Sequence, residues 1–418
     1  MLTPMLPTEV DARVAALDAL HRAVRPHGFV ASGADDHYQS IWARDAAIAT
    51  VGAVAANDPE LIHAGIRSLL TLGSCARPNG QIPNTVWNRD PGLYRDWHEN
   101  GAVDASAWFA IATAYVLESC TPDEARTLRA TAAAAIRWLR DRDLNGLGLL
   151  WVPPAGDWMD STLHRSGMTL LVNSLWVWAL RLFEPIADDH GLDLGSGLDA
   201  DATAAAVRAL LWPAEDLDIA TLLFEAPAGV RRGWPHPILA GVLRQAHNPD
   251  RRWFGATLEA ARLRENLDVL GNCIAVIADV ATGPQQHFIL NALDELSVSE
   301  PFATRTLGAP VDPNARNSLV EPNAEALQDP RWRNGPHHYH NAGAWPFIGG
   351  FHSWALRHTG RNEAAGRVVA AIDRTNTVNG EWAYPEWVDG DTGEPSTTRM
   401  QTWSAAARLY AGGPGHND

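Results

Sequence analysis

Apolar side chains that recur every three or four residues constrain the fold of this chain more than any other feature. In the first such segment, Val10, Val14, Leu17 and Leu20 share one face of a helix. The same period returns in about a dozen segments, one about every 35 residues along the chain. Runs of alternating β-branched residues are almost absent. The sequence therefore predicts an all-α fold.

Helix boundaries follow from the apolar period together with capping residues. Asp58 and Pro59 suit the N-cap and the first turn of one helix, and Thr121 with Glu124 forms a capping box at the start of another. The predicted helices cover residues 8–24, 41–56, 59 onward, 102–118, 121–140, 170–182, 202–211, 237–245, 267–281, 288–296, 345–358, 363–375 and 400–409.

Long connections alternate with short ones between these helices. The four long ones, residues 77–101, 144–167, 309–344 and 376–398, are rich in Trp, Asp, Asn and Gly. Loops above about 12–15 residues in a compact domain are usually functional. A ring of helical hairpins, the (α/α)6 barrel, fits this alternation because the long loops then meet at one mouth. No Gly/Ser linker interrupts the chain, which predicts a single domain over residues 1–418.

Charge and aromatic content narrow the classes of partner. The formal net charge is −16, whereas a nucleic acid or an anionic membrane requires clustered Lys and Arg. Trp is unusually frequent, with 18 residues against 9 Phe and 6 Tyr. Some of these rings pack in the core, but the polar neighbours of many others favour stacking on sugars. We therefore expect a small neutral carbohydrate as the partner, and a homo-oligomer is compatible with the sequence.

The sequence predicts a cytoplasmic protein without metal or cofactor. Residues 1–10 do not have the pattern of a secretory signal, and no apolar run reaches the roughly 20 residues of a membrane span. Cys75, Cys120 and Cys273 are scattered, which favours neither a disulfide framework nor a zinc site. Three histidines within residues 337–340 are an alternative metal site, but neighbouring residues do not share a face in a helix or strand.

Two acids far apart in the chain are the candidate catalytic residues. Glu386 follows Pro385, which cannot lie inside a helix, and stands between Tyr384 and Trp387. A surface turn is the alternative, but two large rings around an acid favour a sugar pocket. Asp104 precedes a strongly apolar helix, where an N-cap role is the alternative. Burial there would raise the pKa of Asp104, whereas the helix N-terminus would lower it.

Seven short segments occur together in an order and at spacings typical of one enzyme family. They are Ile41-Trp42-Ala43-Arg44-Asp45, Val103-Asp104-Ala105-Ser106-Ala107-Trp108, Trp158-Met159-Asp160, Leu270-Gly271-Asn272, Tyr339-His340-Asn341-Ala342-Gly343-Ala344-Trp345-Pro346, Pro385-Glu386-Trp387-Val388-Asp389-Gly390 and Gln401-Thr402-Trp403-Ser404. With them, nearly the whole chain resembles glycoside hydrolase family 100, the alkaline and neutral invertases. More distantly, it resembles the glucosidase part of glycogen-debranching enzymes.

This resemblance implies an (α/α)6 barrel that hydrolyses a small α-glucoside with inversion, sucrose being the leading substrate. It implies that Asp104 is the general acid and Glu386 the general base. Inverting enzymes hold such carboxyl groups about 6.5–9.5 Å apart, with a water between them. We expect the sugar pocket to contain Trp42, Arg44, Asp45, Trp158, Asp160, His340, Asn341, Trp345, Gln401 and Trp403.

Departures from the family pattern leave alternatives open. Residues 158–160 are closer to debranching enzymes than to invertases, so an α-1,6-glucosidase or a hydrolase of another small glucoside is the second hypothesis. A helical barrel that binds carbohydrate without catalysis is the third. Within the pocket, Asp45 could instead form a buried ion pair with Arg44. Asp160 could be a solvated loop acid, and Trp403 could be a core residue.

Overall fold

The computed structural model describes residues 9–34, 38–90, 95–96, 102–144, 146–160, 165–213, 237–260, 262–312 and 334–414. Within them, thirteen α-helices dominate. They are α1 Glu9–Arg22, α2 Ala43–Ala56, α3 Pro59–Ser74, α4 Val103–Val116, α5 Pro122–Arg140, α6 Leu170–His190, α7 Ala200–Leu211, α8 Pro237–Ala246, α9 Val269–Ile277, α10 Gly283–Glu295, α11 Pro346–His358, α12 Asn362–Asn376 and α13 Thr402–Tyr410. The protein is therefore mostly helical, as the sequence predicts.

The two helix caps that the sequence predicts are present. The Asp58 side chain accepts hydrogen bonds from the backbone N–H groups of Glu60 and Leu61, at 3.1 and 3.0 Å. Thr121 and Glu124 form the predicted capping box. The predicted start of α10 is five residues too late. The helix begins at Gly283 behind a second capping box, and its polar first turn gives no apolar signal. The predicted start of α1 at residue 8 lies outside the described residues, as do residues 91–94, 97–101, 145, 161–164 and 313–333 of the predicted loops.

Short strands, which the sequence analysis did not predict, connect the helices in the described part of the chain. They form four small antiparallel sheets. The strands are β1 Val24–Arg25, β2 Gly28–Phe29, β3 Ser40–Trp42, β4 Thr85–Trp87, β5 Arg95–Asp96, β6 Met168–Thr169, β7 Thr257–Glu259, β8 Arg262–Arg264, β9 Thr377–Val378 and β10 Glu381–Trp382. Two or three residues are too few for a period of two to be recognised in a sequence.

Two sets of helices alternate along the chain. In one set, α2 packs against α4, α4 against α6, α6 against α9, α9 against α11, α11 against α13, and α13 against α2. Each of these helices also contacts a member of the other set: α3, α5, α7, α10, α12 and α1 pack on α2, α4, α6, α9, α11 and α13 respectively. All nine residues of α9 are buried, which explains why this helix has apolar residues on every side.

Of the described helices, α6 alone is long and apolar enough to cross a membrane. Its composition has another physical cause, because 72% of the apolar stretch is buried inside the protein. The helix packs against α4, α5, α7 and α9. A helix surrounded by four others needs apolar residues around its whole circumference.

Gly350 allows α11 to approach α13 closely. A Cβ atom at this position would lie 2.7 Å from the Cζ atom of Tyr410, whose buried ring is fixed by a hydrogen bond from its hydroxyl to the carbonyl of Phe347. We predict that Gly350→Ala lowers the stability by about 1–3 kcal/mol, because the ring has no room to move. Thermal and denaturant unfolding measure this change.

Gly366→Ala is the matched control for this prediction. Gly366 lies inside α12, and nothing stands within 4 Å of an added Cβ atom. The substitution should stabilise the protein by about 0.5–1 kcal/mol, since alanine favours the helix. Equal effects of both substitutions would contradict the close packing of α11 on α13.

Candidate active site

A cavity of about 200 Å³ lies where the segments that precede α2, α6, α11 and α13 meet. It is lined by Ala31, Tyr38, Trp42, Arg44, Asp45, Trp158, Asp160, Tyr339, His340, Trp345, Glu386, Gln401 and Trp403. Ten of the twelve residues that the sequence analysis assigned to the site are in this set. The volume is below the roughly 300–1,000 Å³ of pockets for drug-sized ligands, so it suits one small ring.

Glu386 reaches the cavity from a loop that backbone hydrogen bonds fix on both sides. Its N–H donates to the carbonyl of Thr398 at 3.2 Å, and Val388 exchanges two bonds of 2.9 Å with Ala344, just before α11. The Glu386 side chain is only 7% exposed. Burial, followed by the nearby charge of Asp45, raises the pKa of Glu386 to about 8. In the free protein this carboxyl group therefore keeps its proton to a higher pH than an ordinary glutamate does.

Arg44 joins two acids on the opposite side of the site. It lies in the first turn of α2, and its Nη1 atom donates to Oδ1 of Asp104 at 3.2 Å. Its Nη2 atom donates to Oδ2 of Asp160, also at 3.2 Å. Because α2 begins directly after β3, the pairing of β3 with β4 fixes where this guanidinium lies. One cation thus serves two carboxyl groups.

The structure corrects the expected position of Asp104. The Asp104 side chain is fully buried behind Arg44 and does not line the cavity, whereas the side chain of Asp160 is 27% exposed and does. Burial raises the pKa of Asp104 to about 6, and the charge of Arg44 opposes that rise. Burial likewise raises the pKa of Asp45 to about 7. The cavity therefore contains Asp45, Asp160 and Glu386, and Asp104 supports its wall.

Asn341 also has a different position from the one expected. Its amide nitrogen donates to the carbonyls of Val311 and Asn334, at 2.6 and 3.1 Å, and its Oδ1 atom accepts from the N–H of Val311 at 2.7 Å. Through these bonds, the Asn341 side chain fixes the segment that precedes α11 to the backbone of Val311 and Asn334. Asn341 is fully buried and does not line the cavity.

Aromatic rings build most of the remaining wall. Trp158 meets the rings of His340 and Trp345 edge-on, with centroids 4.9 and 5.2 Å apart. Trp403 stacks on Phe347 at 4.4 Å. Burial lowers the pKa of His340 well below its usual value, so the ring is neutral. A neutral imidazole and flat indoles suit contacts with an uncharged polar ring.

Four buried side-chain N–H donors of the cavity residues have no acceptor within the described part of the chain. They are Nε1 of Trp42, Nε1 of Trp158, Nε1 of Trp403 and Nε2 of Gln401. Buried donors without a partner are rare in proteins, since each one carries a desolvation cost. Together with the three cavity carboxylates, they offer both donors and acceptors to a ligand with several hydroxyl groups.

Two lining tyrosines were not assigned to the site from the sequence. Tyr339 stacks on His340, with centroids 4.1 Å apart, and its neighbours in the chain did indicate the site. Tyr38 stands edge-on to Trp42 at 6.0 Å. Both residues have a positive φ of 50°, a conformation that non-glycine residues adopt mainly at turns and functional sites. Single-sequence patterns carry no signal for that conformation.

No group of three metal-ligating side chains occurs among the described residues. The histidines at positions 337–340 are therefore not part of such a group. His340 belongs to the aromatic wall, and His338 stands edge-on to Trp387 with centroids 4.3 Å apart.

Part of the chain matches a known enzyme family. Residues 248–412 match the family model described as alkaline and neutral invertase. A probable alkaline/neutral invertase D of Arabidopsis thaliana is 27% identical over 170 residues, which are 38% of this chain and 29% of that protein. Cytosolic invertase 1 of Oryza sativa subsp. japonica is 27% identical over 170 residues, 38% of this chain and 27% of that protein. The matched part thus spans less than a third of the length of these curated relatives.

Solved structures resemble the chain over almost its full length. A GH63 mannosylglycerate hydrolase of Thermus thermophilus, solved with Tris and D-glycerate and also with glucose, gives a TM-score of 0.65. It is 15% identical, and the match covers 96% of this chain and 99% of that one. A glycosidase variant solved with glucose gives a TM-score of 0.58 at 12% sequence identity, and the match covers 96% of both chains. This likeness shows a shared fold, and the predicted resemblance to glycoside hydrolases is confirmed.

The raised pKa of Glu386 gives a testable effect on stability. A carboxyl group with a higher pKa in the folded than in the unfolded protein stabilises the fold only while it is protonated. That stabilisation disappears as the pH rises from the ordinary glutamate value of about 4.5 to about 8. We predict that Glu386→Gln, which is permanently neutral, raises the Tm by several degrees at pH 8 and much less at pH 5.

The same substitution at Glu363, which is almost fully exposed on α12, is the control. Glu363→Gln should change the Tm equally at the two pH values. If Glu386→Gln also showed no dependence on pH, the carboxyl group of Glu386 would not be buried as the structure describes.

Proposed function

Because this chain is related to the alkaline and neutral invertases, we propose that it is an inverting glycoside hydrolase that removes one uncharged hexose from a small α-glucoside. One observation carries the proposal: Asp160 and Glu386, from segments more than two hundred residues apart, line the same small cavity of indole rings and unsatisfied N–H donors. Sucrose is the leading substrate. The cavity volume of about 200 Å³ favours a single ring and an exposed bond to the leaving group.

We propose Glu386 as the general base, as the resemblance implies, and Asp160 instead of Asp104 as the general acid. Asp160 lines the cavity and is partly exposed. A residue that protonates a leaving group must be accessible in this way. Glu386 would remove a proton from water as the water attacks the anomeric carbon, and Asp160 would give its proton to the departing oxygen.

Asp104 would then serve the reaction through Arg44. An isolated guanidinium beside Asp160 would hold that carboxyl group in the ionised form. The fully buried Asp104 neutralises Arg44 from the other side and so reduces this effect. Asp45, in the first turn of α2, would accept hydrogen bonds from sugar hydroxyl groups, with the four N–H donors and the neutral His340 as further contacts.

We also propose that the first set of helices, α2, α4, α6, α9, α11 and α13, closes into the inner ring of an (α/α)6 barrel. The contact of α13 with α2 and the match over 96% of the chain support it. The chain would then be one domain, with the sugar site at the mouth near the N-termini of α2 and α13. A cytoplasmic location is proposed on the relative named a cytosolic invertase. A homo-oligomer remains compatible with these proposals.

A second substrate class has support of its own. A structural relative that covers nearly the whole chain is a mannosylglycerate hydrolase, and residues 158–160 resemble debranching enzymes. We would therefore compare sucrose, isomaltose and mannosylglycerate as substrates of the wild-type protein. The substrate with the highest kcat/KM identifies the bond. Binding of sugars without any hydrolysis at high protein concentration would instead support a non-catalytic carbohydrate-binding barrel.

The proposed catalytic pair predicts the effect of two substitutions. Asp160→Asn and Glu386→Gln should each lower kcat by about 10²–10⁴, because each removes one proton transfer. Sugar release measures the rate, and NMR of the first product identifies the anomer, which inversion makes the β form. The exposed Glu363→Gln is the control and should keep full activity. Near wild-type rates for Asp160→Asn would return the role of acid to Asp104.

The pH dependence of kcat/KM tests the assignment of Glu386 as the base. The base must be ionised and the acid protonated, so kcat/KM should depend on pH, with one midpoint near the pKa of about 8 of Glu386 in the free protein. Asp45→Asn removes a negative charge beside Glu386 and should move this midpoint to lower pH, whatever it does to the absolute rate. A midpoint that stays at the same pH in Asp45→Asn would contradict this assignment.

A further inference from the structure

A second buried ion cluster lies beside the acid of the proposed pair. Arg165 is 3% exposed, and its Nε and Nη2 atoms donate to Oδ2 of Asp157 at 2.9 and 2.6 Å. Its Nη1 atom donates to Oδ2 of Asp268 at 2.9 Å. Both aspartates are almost fully buried. The guanidinium therefore ties the loop before α6 to the N-cap residue of α9.

The cluster acts on the backbone that leads to Asp160. The other carboxyl oxygen of Asp157 accepts a hydrogen bond of 3.0 Å from the N–H of Met159, which bends the chain immediately before Asp160. On the preceding side, the carbonyl of Gly156 accepts from the N–H of Val103 at 2.7 Å, at the start of α4. The segment 156–160 is thus attached to α4 by its backbone and to α9 through Arg165.

We infer that Arg165 is a positioning residue, which keeps the carboxyl group of Asp160 directed at the oxygen of the leaving group. This inference rests on the proposed function, in which Asp160 is the general acid. Arg165 does not line the cavity and touches no substrate. It acts through Asp157, whose position sets the turn at Met159 and therefore the direction of the side chain that follows, Asp160.

A merely structural ion pair is the competing explanation, and the chemistry of the leaving group separates the two. Loss of stability lowers the amount of active enzyme for every substrate alike. Misplacement of the acid slows only reactions whose leaving group needs a proton. A glycosyl fluoride leaves as fluoride without general-acid assistance, whereas the alcohol of an ordinary glycoside leaves poorly unless it is protonated.

The test uses Arg165→Lys, which keeps the positive charge but loses the planar fork that contacts Asp157 twice. Removal of the charge would leave two buried carboxylates unpaired and would endanger folding. Arg251→Lys is the matched control, because Arg251 is also a buried arginine in an ion pair, with Glu265, and lies outside the cavity. The substrates are the best glycoside of the panel and the glycosyl fluoride of the same hexose.

We expect Arg165→Lys to lower kcat/KM for the glycoside at least about tenfold more than for the fluoride, mainly through kcat. Hydrogen exchange of the peptide that contains residues 156–160 should become faster in the same variant. Arg251→Lys should affect the two substrates equally and leave that peptide protected. Equal losses on both substrates in Arg165→Lys, or unchanged exchange, would overturn the inference. A wild-type protein that hydrolyses neither substrate would overturn the proposed function as well.

Discussion

The contact of one arginine with two aspartates organises the acidic cavity. Arg44 is the only cation that lines it in the described part of the chain, while three carboxyl groups face the same space. Asp104 compensates the guanidinium from inside the protein and Asp160 contacts it from the cavity. The remaining two carboxyl groups have raised pKa values because burial is not fully compensated by positive charge. Acid and base chemistry near neutral pH depends on such differences between neighbouring carboxyl groups.

Much of this arrangement could be predicted from the sequence. Local chemistry is enough for helix starts, since the caps at Asp58 and Thr121 involve only neighbouring residues. The seven motifs place ten of twelve expected site residues around one cavity, although these residues lie between positions 42 and 403. Periodicity alone would not have done so. Five of the seven motifs stand just before or at the start of a helix, and the fold brings those starts together with the two loops that contain the other motifs.

The errors have physical causes. Helix α4 is apolar around its whole circumference, so no amphipathic pattern indicates which face of its first turn points to the cavity. The family resemblance assigned Asp104 to the site, and nothing in the local pattern showed that it lies behind Arg44. The amide of Asn341 could serve a ligand or the backbone, and its partner Val311 is thirty residues away, beyond any local pattern. Strands of two or three residues depend on pairing with distant segments and leave no period in the sequence.

The concentration of indole rings at the cavity has an optical consequence. Four of the eighteen tryptophans line it, and the ring of Trp158 lies against those of His340 and Trp345. Indole emission responds to the polarity and the hydrogen bonding of the ring N–H group. A molecule that enters this space replaces water next to several of these fluorophores at once. The protein thus carries its own spectroscopic reporter of occupancy, and titrations need no attached dye.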